Sequence, residues 1–321
     1  MTSEHISHIA NLISEAEEHG LLKECQDLSG YSGLKLIGTL QRLAKLQESA
    51  GAGHYLEVGV YQGLTLVSVA ACLKEMTAYG IDNFSQFDPD GVNQGIVEQR
   101  ASVNSIQKID LINLDYEDAL ETLDEHIGDH KIGTYFIDGP HDYRSQLMCL
   151  LLAKPFLSER SIIVIDDCNY RHVRLANRDF LLSHPEYKLL FESYTRCHPA
   201  NMTAEEVAQA RLGWWNGVNI IVHDPENEIA TMFPSTQRDR TLFENEHLVH
   251  TSRYAEIAPE VISFAQSLFS FRLINAAKCT VKIFRKKRNV EGGMKGRYKS
   301  ANTYSEQLPQ SRFNPKVIGP D

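Results

Sequence analysis

Apolar residues recur at helical spacing through the first fifty positions, first at Ile6, Ile9, Leu12 and Ile13, then at Leu34, Leu36, Ile37, Leu40 and Leu43. A break around Ser29, Gly30 and Gly33 divides them into two or three helices. From Tyr55 the pattern changes. The run Tyr55-Leu56-Glu57-Val58 leads into Gly59, and Leu64 to Leu73 has the texture of a buried helix. Strand, glycine-rich turn and helix in that order open an α/β unit.

The alternation then repeats. Short apolar runs at Ala78 to Ile81, Ile109 to Leu114, Thr134 to Ile137 and Ile162 to Ile165 end in Asp82, Asp115, Asp138 and Asp166. Between them the pattern predicts helices at 92–105, 116–127 and 143–156, and a further helix near 172–183. Tyr187 to Tyr194 and Gly217 to Val222 read as an antiparallel pair at the sheet edge, with the connection from Pro199 to Trp215 long enough to serve as a lid. A last helix is predicted at 254–278. In an open parallel sheet the ligand crevice lies outside the carboxyl ends of the strands, so the serial acids converge on one edge.

With 321 residues, 42% of them apolar and 23% charged, the chain can bury a substantial core and is not of disordered composition. A net charge of -10 gives no support to nucleic-acid binding, yet it conceals a split. Residues 281–321 hold ten Lys or Arg against three Asp or Glu, a net +7 against -17 for the rest. The run Arg285 to Arg288, followed by Gly292, Gly293 and a polar stretch, predicts an extended, solvated tail, with an anionic partner or membrane surface as the functional alternative. Six cysteines without a CxxC pair suggest neither a zinc knuckle nor a disulfide framework. The start of the chain lacks a secretory pattern and no apolar window is long enough for a span, which places the protein in the cytoplasm as an expectation.

Candidate chemistry concentrates in two places. The first is Glu57-Val58-Gly59-Val60-Tyr61-Gln62-Gly63, which is neither a dinucleotide fingerprint nor a Walker loop but offers a close backbone turn at Gly59 and Gly63 with an acid ahead of it. Asp82, at the end of the next strand, is placed to accept hydrogen bonds from ribose hydroxyls. These residues resemble the class I S-adenosylmethionine-dependent methyltransferases. The resemblance implies a Rossmann-like, open, mostly parallel seven-stranded sheet with helices on both faces. Around it are expected a helical cap or lid at 1–50, a methyltransferase domain at 51–235 and a helical and basic extension at 236–321. It also implies that Glu57, Gly59 and Gly63 line the methionine end of the cofactor, Asp82 the ribose, and Asp115 with Tyr116 the adenine.

The second place is Asp138-Gly139-Pro140-His141-Asp142-Tyr143 paired with Asp166-Asp167-Cys168-Asn169. Asp138 and Asp166 are 28 positions apart, enough for a loop, a crossover helix and a return strand, which puts both at the same sheet edge. Three carboxylates meeting there are the ligand type of Mg²⁺, with Mn²⁺ or Ca²⁺ as alternatives. The arrangement resembles the metal-dependent O-methyltransferases, both the catechol enzymes and those acting on sugars of macrolide and aminocoumarin antibiotics. The resemblance implies Asp138, Asp166 and Asp167 as metal ligands and His141 as general base. Catechol enzymes generally carry lysine and asparagine where this chain has His141 and Asp167, which tilts the acceptor toward a sugar or other vicinal diol. The expected partners are a small hydroxyl acceptor and a second copy of the chain in a homo-oligomer, a dimer. The alternatives are a catechol-type enzyme, a cephalosporin-hydroxylase-like enzyme and a noncatalytic S-adenosylmethionine-binding protein. His172, His198 and His223 have no partners at ligand spacing and read as surface or packing residues, while Trp214 and Trp215 read equally as acceptor cover or as a packed loop.

Overall fold

A computed structural model describes residues 1–236, 257–291, 311–315 and 317. Two helices come first, α1 (Ser3–His19) and α2 (Leu34–Ser49). The α/β alternation follows as β1 (His54–Val58), α3 (Leu64–Ala70), β2 (Ala78–Ile81), α4 (Asn93–Val103), β3 (Ile109–Ile112), α5 (Tyr116–Glu121), α6 (Leu123–Ile127) and β4 (Ile132–Ile137). It continues through α7 (Tyr143–Ala153), β5 (Leu157–Ile165), α8 (Arg171–Ser183), β6 (Tyr187–Ser193), α9 (Ala204–Leu212) and β7 (Val218–His223). Helices Ala258–Phe269 and Leu273–Glu291 and a short strand β8 (Arg312–Phe313) complete the described chain. The predicted helix at 116–127 is divided by Thr122 into α5 and α6.

The eight strands form one sheet in the order β3-β2-β1-β4-β5-β7-β6-β8, with β3 through β5 parallel and β7 antiparallel to both its neighbours. The expected α/β architecture is thus present, with one strand beyond the seven. Every residue of β4 is buried because both faces of the sheet are covered. Tyr135 and Ile137 of β4 face a core cluster shared with α7 and α8, and Phe136 faces the opposite cluster, shared with α1, α2 and α3. Leu36, Leu40 and Leu43 of α2 belong to that second cluster together with Tyr55 and Leu66, so α2 covers one face of the sheet.

The parallel ladder does not stop where the strands end. Gly59 donates its N–H to the Ile81 carbonyl at 2.9 Å, Asp82 to Ile112 at 3.2 Å, Asp138 to Val58 at 2.9 Å and Asp166 to Ile137 at 3.0 Å. These backbone bonds hold Asp82, Asp138 and Asp166 in register along the carboxyl edge.

The C-terminal region departs from expectation. The predicted helix at 254–278 is two helices with a turn at 270–272, and its first residues, 254–256, lie outside the described residues. Arg285 to Arg288 sit on a helix that runs to Glu291 rather than on an extended tail. Residues 311–315 are docked at the sheet edge, where Asn314 is fully buried, donating its N–H to the Leu190 carbonyl at 2.7 Å and its side-chain amide to Ala230 at 2.7 Å. Unmet backbone groups along β6 account for this return, since an edge strand seeks a partner.

Because Leu40 is wholly buried between α1 and the sheet, Leu40→Ala is expected to cost about 2–5 kcal/mol. Urea denaturation should show the loss in a single transition that includes the sheet; a separate early transition would mark the N-terminal helices as an independent unit.

Candidate active site

The turn after β1 is built on two glycines in the left-handed region, Gly59 at φ 91° and Gly63 at φ 77°. A Cβ on Gly59 would stand 2.0 Å from the Asp138 carbonyl oxygen, so no other residue fits there. Asp82 clamps the same turn. Its Oδ2 accepts the N–H groups of Val60 at 2.9 Å and Tyr61 at 2.7 Å, and its Oδ1 accepts that of Phe84 at 2.7 Å.

Glu57 is fully buried beneath α3, where its two oxygens accept the Tyr55 hydroxyl at 2.6 Å and the Thr65 hydroxyl at 3.0 Å. Burial pushes its carboxyl up to about 8, and these two hydroxyls only partly offset the shift. Both contacts are internal, and the one to Thr65 joins β1 to α3. Asp115 caps α5 by accepting the Glu117 N–H at 3.0 Å, and Tyr116 packs against the first core cluster with its hydroxyl donated to Glu117 at 2.8 Å.

On the neighbouring strands, Asp138, His141 and Asp167 offer ligand atoms that all lie within 4.8 Å of one another. His141 Nε2 is 2.5 Å from Asp167 Oδ2. Asp166, expected beside them, is buried and turns Oδ1 onto the Asp167 N–H at 2.7 Å. Burial and the facing carboxylates Asp166 and Asp167 push Asp138 well above the usual carboxylate range, and burial with Asp167 does the same to Asp166. Asp167 goes the other way: burial opposes its charge, but His141 and the hydrogen bonds it receives hold it below the usual range. Carboxylates raised by one another's charge in a half-buried site, with an imidazole beside them, are a donor set that fits a divalent cation, whose charge would relieve the repulsion.

The loop carrying these groups is braced from three sides. Asp167 stands at φ 55°, and Asn216, two residues before β7, donates its side-chain amide to Asp167 Oδ1. Arg174 of α8 donates to the Cys168 and Asn169 carbonyls at 2.7 Å each, and its guanidinium lies 5.4 Å from the Tyr194 ring centre. Asn169, left unassigned by its sequence position, donates to the Thr195 hydroxyl at 2.6 Å and so ties the loop to the end of β6. Asn216 could have been placed from sequence, since an antiparallel β7 beside β5 must begin at the edge where β5 ends; Arg174 carries no such signal.

His198 is a packing residue close to the site: Tyr170 stacks on His141 with centroids 5.3 Å apart and meets the His198 ring at 5.6 Å. His223 packs on Tyr187 at 5.0 Å at the opposite end of the sheet, as a packing residue should. Trp214 is core, against Phe191 at 5.0 Å. Trp215, one residue before Asn216, has Tyr31 at 6.3 Å, and Tyr31 in turn meets Tyr61 of the glycine turn at 5.7 Å. Arg100 ties that N-terminal segment to the turn by donating to the Ser29 carbonyl at 3.0 Å and the Gln62 carbonyl at 2.6 Å.

Residues 56–168 match the family model described as a methyltransferase domain. This stretch, 113 of the 321 residues, is similar to a methyltransferase domain and carries the glycine turn, Asp82 and the Asp138–His141–Asp167 group. Among solved structures, the chain is similar to the O-methyltransferase TomG from Streptomyces achromogenes, involved in tomaymycin synthesis and solved with S-adenosylmethionine. That likeness has 14% identity, covers 70% of this chain and 91% of the other, and gives a TM-score of 0.46. It is also similar to an O-methyltransferase from Bacillus cereus in complex with SAH, at 14% identity over 70% of this chain and 92% of that one, with a TM-score of 0.41. No curated protein matches in sequence.

Glu57 makes a pH prediction. An acid raised from 4.5 to about 8 stabilises the fold below the lower value, and that stability is lost as pH rises through the upper one. The protein is therefore expected to lose stability between about pH 5 and pH 8, and Glu57→Gln, which stays neutral, should flatten that fall. Chemical denaturation at several pH values checks it; an unchanged slope in Glu57→Gln would assign the dependence to other groups.

Proposed function

We propose that this chain is an O-methyltransferase that moves the methyl group of S-adenosylmethionine to a hydroxyl of a small acceptor beside a divalent cation. The observation that supports this best is the meeting of Asp138, His141 and Asp167 within 4.8 Å, on the strand next to the glycine turn. S-adenosylmethionine supplies, when bound, a methyl group on a positively charged sulfur. The Gly59 to Gly63 turn and Asp82 would receive its amino acid and ribose ends, with Asp115 and Tyr116 toward the adenine. Glu57 would support that turn from beneath, through its bond to Thr65 at the start of α3.

Asp138 and Asp167 would hold the cation, with Asp166 directly behind them, and Mg²⁺ or another hard divalent ion would supply Lewis acidity toward the acceptor hydroxyl. His141 would take the proton from the acceptor oxygen while that oxygen receives the methyl group and the donor's sulfur leaves as a neutral thioether. Asp167, 2.5 Å from Nε2, favours the protonated imidazole that results and holds the ring in place. The half-buried loop limits water around the reacting oxygen, and positioning carries much of the rate. A sugar or other vicinal diol on a small natural product suits the site as acceptor, because the aromatic faces of Tyr31, Tyr61 and Trp215 lie along the same edge.

The close His141–Asp167 contact also favours a second reading, in which the pair acts as a base without a cation. Turnover of a panel of diols with S-adenosylmethionine, before and after chelation and Mg²⁺ return, separates the two. The cation reading expects activity to be lost on chelation and restored by Mg²⁺, and Asp138→Asn to raise the Mg²⁺ requirement at least about tenfold. Activity indifferent to chelation leaves the His141–Asp167 pair alone. In either case His141→Ala should lower turnover about 10²–10⁴-fold while S-adenosylmethionine affinity, measured by calorimetry, stays within about threefold; full turnover in that variant removes His141 from the base role.

A further inference from the structure

The helices Ala258–Phe269 and Leu273–Glu291 pack against each other as a hairpin that bears no residue of the site. Ala276 is buried and Cys279 and Ile283 are half-buried on the side facing the first helix. The other side is exposed and carries two kinds of residue at once. Ile274, Lys278, Val281 and Arg285 follow one another at the spacing of a single helical stripe, with Phe284 on one flank and Lys282 on the other. At the tip, Phe269 and Phe271 are 87% and 89% exposed, with Arg272 exposed beside them. Large aromatic side chains left this open on a helical hairpin are not explained by its own packing.

Charge decides what covers them. Residues 257–291 hold seven Lys or Arg against two Glu, a net +5 in a chain of -10. Lys286 is already paired, with Glu260 at 2.8 Å, so it belongs to the hairpin's own packing; Lys278 and Arg285 lie on the exposed stripe and Lys282 on its flank. A second copy of the hairpin would bring like charges together, and a nucleic acid would meet the cations but leave the phenylalanines in water. The interface of an anionic bilayer takes both, aromatic groups at the acyl boundary and cations at the headgroups.

We propose that the hairpin of Ala258–Phe269 and Leu273–Glu291 is a docking surface for an anionic lipid bilayer, dipping its Phe269–Phe271 tip into the interface. Among the described residues no helix is long and apolar enough to cross a membrane, so the contact is with one leaflet. The full chain is tested by sedimentation with vesicles of phosphatidylcholine alone and of phosphatidylcholine mixed with phosphatidylserine. Binding to the mixed vesicles should exceed that to neutral ones at least about tenfold and weaken with added salt. Lys278→Glu with Lys282→Glu should abolish the preference for anionic vesicles, and Phe269→Ser with Phe271→Ser should lower binding about tenfold, both with unaltered thermal unfolding. No binding at low salt, or equal binding to both compositions, overturns the proposal. Dimerisation that the phenylalanine variant abolishes, without vesicle binding, overturns it in favour of a second copy.

Discussion

The carboxyl edge of the sheet depends on how closely the ends of β1 and β4 pass one another. Gly59 lies so near the Asp138 carbonyl that a single added carbon would collide with it. That approach carries the parallel ladder one residue beyond each strand, Asp138 bonding to Val58 and Asp166 to Ile137. The glycine turn and the carboxylates are therefore one construction. Displacing the turn would displace Asp138, and with it the group that meets His141 and Asp167.

Gathering carboxylates at a half-buried edge is electrostatically unfavourable, and the surroundings answer it unevenly. Asp167 is held ionised by His141 and by the Asn216 amide, while Asp138 and Asp166 are driven toward their neutral forms by burial and by the charge of Asp167, with Asp166 adding to the effect on Asp138. Arg174 directs its guanidinium at the Cys168 and Asn169 carbonyls, holding the loop rather than pairing with an acid. The electrostatic strain thus stays concentrated where Asp138, His141 and Asp167 meet.

The two ends of the chain have different relations to this edge. The N-terminal segment is built into it, through Arg100 to Ser29 and through Tyr31 set between Tyr61 and Trp215. The C-terminal residues 311–315 close the far edge of the sheet, where Arg312 pairs with the buried Glu192. The hairpin between them is free of both duties, and its open aromatic tip gives it a surface of its own.

Much of the architecture was legible in the residues because hydrophobic period and strand-ending acids are local signals. Ile162 to Ile165 ending in Asp166, or Ala78 to Ile81 ending in Asp82, needs only the length of a strand and the rule that an open parallel sheet opens at its carboxyl ends. Partnership was not local. That Asp82 would spend its oxygens on the glycine turn and that His198 would join the His141–Tyr170 stack depend on segments separated by tens of residues. The same holds for the tail, whose composition reads as solvated while Asn314 is fully buried against β6. The amino-acid sequence by itself determined which residues end on the site edge, since periodicity and chain length decide that; only the tertiary structure decided which of them face one another, because side-chain partners are chosen by packing across the sheet.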